Sequence, residues 1–568
     1  MKPSRCLLLC SSGHGATSLV QALGRSGFAT DVMLLGASTD PDSRFAAKVF
    51  RPESAKTLGE LAACAENLDT AQPYDLVLAA SDVWVASINT LPAAHPLRLK
   101  AALAPAASIN TALSHTEIAK VARAAGLDVV DPRIVPKGTI PEPPYPFPFV
   151  MRSTSAVIVT GNDVFPQKPF LCGGYAAYED YLENRGMYQD ADILQATINR
   201  RLHVLCVCQT GELRIAFASE PLHEQWPGGP ASLSRSVACD RNVLDAARTL
   251  LKALDWHGAA TLEFGWQEGG PITLIGMRTG WEELAAHAIA AGVNLPLVLY
   301  SLSASDAVLH SADYCAGVYL RNLEDDLEWF RSGRAGFVAS EPDASSHGIA
   351  SSVKRILSGE ETWEGFSLSD PTPGLRTVGR LVFRAWKSLL RGVESPLQLR
   401  WMRSRHRRNV KRFTSKSGAS GRIMFVCHGN ICRSPLAEYL CKSRLPRWRI
   451  HSTGLHAAAG SRSPGRIRRI ALGLGADLEL HRSAHIDQHS VREADLILIM
   501  DALNYRDFTA RFPEAVDKLF LLGMFGTNPS LAIADPVNMD PETAQASARQ
   551  LADAVDGLVR WLVAKTTP

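Results

Sequence analysis

No stretch of about 20 apolar residues free of charge occurs, so a membrane-spanning helix is not expected. The opening apolar run, Cys6 to Cys10, is too short for a secretion leader and reads as a first strand. The eleven cysteines are scattered, and no CxxC pair spaced for zinc occurs. Cys206 and Cys208 stand one residue apart on an expected strand, a poor chelate, so no metal site is expected. Little net charge remains, +3 over 568 residues, which gives no global signal for nucleic acid. An odd number of cysteines and a required free thiol point to a reducing, cytoplasmic setting. With 46% apolar and 21% charged residues the chain is of ordinary globular composition, and it is too long for one core.

The most informative stretch is Met424-Phe-Val-Cys-His-Gly-Asn-Ile-Cys-Arg-Ser-Pro435. An apolar strand, Ile423 to Val426, runs into a tight loop, and Pro435 suits the first position of a helix. Gly429 and Asn430 lie inside the loop, where positive φ is least costly. Such a strand–loop–helix aims backbone amides and a helix N-terminus at one spot and makes an anion site. A thiol in that field, Cys427, is expected to be a thiolate. Arg433 can hold two phosphate oxygens in a fork. The parts describe a nucleophile aimed at a bound phosphate.

Around it, alternating strands and helices from Arg422 to Val563 predict a four-stranded parallel sheet with helices on both faces. Ligands of such sheets sit outside the carboxyl ends of the strands, where the Cys427 loop lies. Cleaving a phosphate ester requires a proton for the departing oxygen. Ala534-Asp535-Pro536 follows the fourth strand at the same sheet edge, so Asp535 is the candidate general acid and base.

Upstream, residues 1–105 read as a small parallel α/β domain whose Gly13-x-Gly15 reads first as a tight turn and second as a phosphate cradle. Residues 106–330 read as a mostly antiparallel sheet with flanking helices, among them one from Ile109 to Gly126. Residues 297–375 read as mostly helical, and Pro371-Thr-Pro-Gly374 as a boundary. Residues 331–420 are expected to be a helical extension and basic linker: from Arg400 to Lys416 stand eight Lys or Arg and no acidic residue. With the amphipathic Leu381–Leu390 pattern, this reads as a solvated helix, an anionic membrane surface contact, or a site for an acidic partner. Ser415 to Gly421 is flexible by composition.

Two resemblances extend this reading. Cys427-x5-Arg433-Ser434 with Asp535-Pro536, supported by His451–His456, His481-Arg-Ser483 and Ala494–Asp501, resembles the low-molecular-weight protein tyrosine phosphatases over residues 422–563, within an expected domain of residues 421–568. The resemblance implies a Rossmann-like fold and phosphotyrosine proteins as substrates. It implies a cysteinyl-phosphate formed on Cys427, with Arg433 and the loop amides of His428, Gly429, Asn430, Ile431 and Cys432 around the phosphate. It further implies that Ser434 hydrogen-bonds the nucleophile, that no cofactor is needed, and that Cys432 forms a reversible disulfide with Cys427. For Cys432 a space-filling role stays open. The family's bacterial members often act on tyrosine kinases of polysaccharide export. Arsenate reduction on this fold needs further cysteines, and none follows Cys441. The family often walls its pocket with an aromatic residue after Asp-Pro, where Val537-Asn538-Met539 stands; the next aromatics are Phe520 and Phe525.

The second resemblance covers about residues 5–330. Trp226–Ser232, Leu254–Gly258, Leu262-Glu-Phe264 and Ala291–Pro296 resemble the ATP-grasp superfamily, with a preceding α/β domain. That implies ATP and Mg²⁺, with Arg152 and Glu263 as candidate nucleotide-binding residues, and an ATP-dependent carboxylate–amine ligase as the alternative function. The expected Glu-x-Asn-Pro-Arg instead reads Ile275-Gly-Met-Arg-Thr279, whose Ile275 and Met277 offer Mg²⁺ no oxygen. A degenerate, ATP-grasp-like region is therefore expected.

Overall fold

The computed structural model describes the chain apart from residues 1–3, 12, 36–40, 53, 161–162, 167–168, 185–189, 196–199, 225–230, 267–269, 304–312, 332–348, 414–419, 458–459, 537–538, 540 and 567–568. The expected Trp226–Ser232 motif and the flexible Ser415–Gly421 segment lie largely outside the described residues. Two compact units form. One holds Met1–Gly173 and Arg185–Phe383, the other Gly174–Asn184 and Arg384–Pro568.

The first unit opens with a parallel four-stranded sheet, in the order Ala46–Phe50, Ala29–Leu34, Arg5–Cys10, Leu76–Ala79. Gly15 is required by packing, because a Cβ there would stand 2.8 Å from the Glu282 carbonyl oxygen. The Glu282 carboxylate accepts the Ser11 amide at 2.9 Å, so this turn is occupied by the protein's own acid. A seven-stranded sheet follows, antiparallel except at its last pair.

Two expectations fail in this unit. Ile109–Gly126 is not one helix but two, Ala106–Ala112 and His115–Ala124; Ser114 breaks the pattern by capping the second, its hydroxyl accepting the Glu117 amide. Residues 297–375 are mostly helical where they are described, with helices Leu323–Arg331 and Ile349–Leu357, while Tyr319–Arg321 and Glu361–Trp363 extend the sheet, each too short to show a period of two. Pro371–Gly374 is not a boundary but the start of a 41-residue helix, Thr372–Arg412, whose first turn tolerates Pro373. Asp370 just before it is fully buried and accepts the Ser43 hydroxyl at 2.6 Å.

The second unit contains a parallel sheet in the order Arg449–Gly454, Arg422–Cys427, Leu496–Ile499, Leu519–Leu521. Its central strand is buried from Ile423 to Cys427, as an apolar run covered on both faces must be. Helices Arg433–Lys442 and Pro541–Thr566 pack together on one apolar cluster. Met402 belongs to the other cluster. The basic stretch is therefore no linker. From Arg384 its helix is part of this unit, with Met402, His406 and Asn409 buried as a stripe at helical spacing. Asn409 Nδ2 donates to the carbonyls of Val516 at 3.0 Å and Leu519 at 2.9 Å. Arg400, Arg403, Arg407, Arg408, Lys411 and Arg412 face outward.

Candidate active site

Cys427 ends the central strand, at the carboxyl edge where a parallel sheet exposes its ligand side. The chain then turns through residues 428–432 and enters helix Arg433–Lys442, with Cys432 as its N-cap. The helix thus starts two residues earlier than Pro435 suggests. Only Asn430 takes the left-handed conformation, at φ +54°.

Asn430 locks this turn. It is fully buried. Its Nδ2 donates to Ser434 Oγ at 2.9 Å and Ser452 Oγ at 2.8 Å, and its Oδ1 accepts the Ala484 amide at 2.8 Å. Its carbonyl lies 2.8 Å from His481 Nε2. Ser452 in turn donates to Glu438 at 2.6 Å. Gly454 is needed because a Cβ would stand 2.9 Å from the Asn430 amide nitrogen and the His428 carbonyl oxygen.

The result sets two polar groups against one sulfur. The Asn430 amide donates to Cys427 Sγ at 3.2 Å, and Ser434 Oγ lies 3.1 Å from it. Arg433, nearly fully buried, sends one terminal nitrogen to Asp501 at 2.6 Å and to the Ile533 carbonyl at 3.1 Å. The other reaches Asp535 at 2.6 Å. Burial alone would ease the guanidinium's proton off; Asp535, Cys427 and Asp501 outweigh it and hold the charge more firmly than usual. Cys427, Arg433 and Asp535, the candidate nucleophile, phosphate fork and acid, therefore meet at one sheet edge.

Comparisons with known proteins place this geometry. A family profile for low molecular weight phosphotyrosine protein phosphatase matches residues 422–567. The chain is 35% identical over 119 residues to the low molecular weight protein-tyrosine-phosphatase Ptp of Acinetobacter johnsonii, covering 21% of this chain and 81% of that protein. It is 34% identical over 142 residues to a protein-arginine-phosphatase of Geobacillus stearothermophilus, covering 25% and 95%. To the low molecular weight protein-tyrosine-phosphatase Wzb of Escherichia coli (strain K12) it is 33% identical over 141 residues, covering 24% and 95%. This chain belongs to the low molecular weight phosphotyrosine protein phosphatase family. It is a hydrolase of phosphoric monoesters, and the matched segment is its C-terminal quarter.

In this phosphatase Asp535 is half-exposed on a loop gripped from several sides. Ser547 donates to the Ala534 carbonyl at 2.7 Å, and Gln550 to the Ala532 carbonyl at 3.2 Å. Arg466 donates to the Pro536 carbonyl at 2.8 Å and to the Met539 carbonyl. His428 is exposed, with its ring 4.7 Å from that of His456. Ile431 is half-buried and Cys432 fully so. Phe520 does not wall a pocket: it is buried in an aromatic cluster with Phe525 and Trp561. Val537 and Asn538 lie outside the described residues.

Sequence reasoning gave no role to Asp501, Ser452, Glu438 or Arg466. Asp501 had a readable signal, an acid ending an apolar strand at the edge that carries Cys427. Arg466 had none, because carbonyl partners leave no pattern in a sequence.

The front-half candidates lie in the other unit. Arg152 NH2 donates to the Ile275 carbonyl at 3.3 Å. Glu263 accepts from Arg201 at 2.6 Å and lies 3.8 Å from His203. Burial would raise its proton affinity, but Arg201, His203 and Arg278 outweigh this and hold it well below the usual carboxylate range. Ile275 packs with Val150, and Met277 lies in the main core.

Proposed function

We propose that Cys427, Arg433 and Asp535 hydrolyse a phosphorylated protein side chain in two steps. Cys427 sulfur attacks phosphorus in line, the S–P bond forms and the P–O bond breaks, and Asp535 gives its proton to the leaving oxygen. Water then attacks phosphorus, Asp535 takes its proton, and the thiolate leaves. Arg433 and the amides of residues 428–432 hold the phosphoryl oxygens as charge spreads over them. Ser434 stabilises the thiolate. The observation that carries this is the Cys427 sulfur, 3.2 Å from the donating Asn430 amide and 3.1 Å from Ser434 Oγ, beside an arginine bonded to Asp535.

Phosphotyrosine is the substrate we favour, because Ile431 offers an apolar surface at the loop. An aryl ring uses such a surface, whereas a phosphorylated guanidine needs acceptors for its N–H groups. Phosphoarginine is the second reading, supported by the likeness to a protein-arginine-phosphatase. The ratio of kcat/KM for matched phosphotyrosine and phosphoarginine peptides tests the choice. A ratio well above one is expected; a ratio below one gives the site to phosphoarginine.

Within the same proposal, Cys432 resolves an oxidised Cys427 as a reversible disulfide. Residues 106–330, after the α/β domain 1–105, form an ATP-grasp-like scaffold without ligase activity. The exposed arginines and lysine between 400 and 412 attract an acidic protein surface rather than insert into a membrane, since Met402, His406 and Asn409 of that helix are buried. A cytoplasmic setting accords with the thiol chemistry.

A further inference from the structure

Helix Gly465–Gly473 begins without local support. Its N-cap is Pro464, which makes no side-chain cap, and its first turn holds no acidic residue. One carboxylate reaches it from far upstream, and a nearer one, Glu479, accepts from the other terminal nitrogen of Arg468 at 2.6 Å. Segment Gly174–Asn184 belongs to the same compact unit as the phosphatase sheet. Its helix Tyr175–Asn184 buries Tyr178, Tyr181 and Leu182. It sets Glu183 against the start of helix Gly465–Gly473. Glu183 accepts from Arg468 NH2 at 2.6 Å. A Cβ at Gly465 would stand 2.7 Å from the same carboxylate, which a larger residue there would push aside. A carboxylate beside a helix N-terminus and an arginine of that helix fixes the first turn.

Arg466 stands in that turn. Its two terminal nitrogens hold the carbonyls of Pro536 and Met539, directly after Asp535. Ser547 and Gln550 hold the chain before Asp535. The carboxyl is thus suspended between two anchors, one of which rests on a turn braced by Glu183.

We propose that Glu183 and Arg466 are positioning residues for the acid, so that residues 174–184 complete the phosphatase from within the front half of the chain. Neither touches substrate. The proposal rests on Asp535 being the general acid. It assigns the upstream helix a role in the chemical step itself: a shift of that helix loosens Arg466, displaces Asp535, and weakens protonation of the leaving group.

The test is the leaving-group dependence of kcat/KM, measured on the full chain with aryl phosphates from 2,4-dinitrophenyl to phenyl. The first leaves without a proton and the last needs one. For Glu183→Lys and Arg466→Met, phenyl phosphate turnover is expected to fall roughly tenfold or more, below the 10²–10⁴ of a lost general acid, while the dinitrophenyl ester is nearly unchanged. Arg466→Lys, which keeps the charge without the fork, is the variant to use if melting curves show that Arg466→Met is unfolded. Uniform loss across the series, or none, overturns the proposal. Asp535→Asn is measured alongside. If it steepens the dependence and the other variants do not, the positioning role falls and the acid stands. If it does not steepen it, both fall.

Discussion

Arg433 has the most at stake among single residues. It binds two carboxylates and a carbonyl while buried, so removing its charge leaves Asp501 and Asp535 facing an incoming dianion unopposed. Arg433→Lys keeps a point charge but cannot bridge both acids. Its kcat/KM is expected to fall about 10²–10³-fold, the range for losing one charge-stabilising donor. A loss under tenfold contradicts the assigned role. Asn430 matters for a different reason, joining an unusual backbone conformation to three side-chain hydrogen bonds. Asn430→Gly keeps the first and loses the second. Stability is expected to fall by about 3 kcal/mol in urea unfolding, at about 1 kcal/mol per bond. These two residues also show what sequence can tell. Arginine and asparagine were legible as members of the tight turn after the central strand, because their types and spacing are chemical. Their partners Asp501, Ser452 and Ala484 were not, because they lie 68, 22 and 54 positions away and only the fold brings them near.

Among the elements, the helix ending at Arg412 was the hardest to read. Its charge is plain in sequence, and the buried stripe Met402, His406, Asn409 is masked by eight nearby cations. The strands of the parallel sheet were legible because apolar runs such as Leu496–Ile499 have no competing explanation. The three-residue strands of the first unit carry too few side chains for a period. His406 gives the helix a pH signature. Its Nδ1 accepts the Leu521 amide at 3.3 Å, which requires the neutral ring. Burial, aided by Arg407, pushes its pKa down to about 4 from 6.5. The unfolded chain therefore takes up the proton first as pH falls. Stability from His406 is complete above pH 6.5 and is lost toward pH 4, by up to about 1.4 kcal/mol per pH unit. Urea midpoints of His406→Asn are expected to vary less between pH 6.5 and 4.5 than those of the wild type. Equal slopes contradict the assignment.

At the scale of the whole molecule, the chain carries one unit with its family shown and one whose activity is a proposal. Glu263, the candidate nucleotide-binding acid of the ATP-grasp resemblance, is already paired with Arg201. Ile275 and Met277 are buried among apolar side chains. Calorimetric titration of the full chain with Mg-ATP is therefore expected to show no metal-dependent binding. Micromolar binding that weakens in Glu263→Gln contradicts a degenerate site. The bounds of the matched segment, 422–567, were legible because a catalytic loop dates its own strand and helix. The membership of Gly174–Asn184 in the same unit was not, since nothing local marks a helix that packs nearly three hundred residues away.

The central claim, that Cys427 carries the phosphoryl group between substrate and water, has a direct measurement. Full-length Asp535→Asn is mixed with 2,4-dinitrophenyl phosphate, which departs unprotonated, and quenched in acid within one turnover. The second step, deprived of its base, is slowed, so peptide mass spectrometry is expected to find one phosphoryl group on Cys427 and none in Cys427→Ser. A phosphoryl group on another residue, or dinitrophenol release at an undiminished rate from Cys427→Ser, contradicts the account.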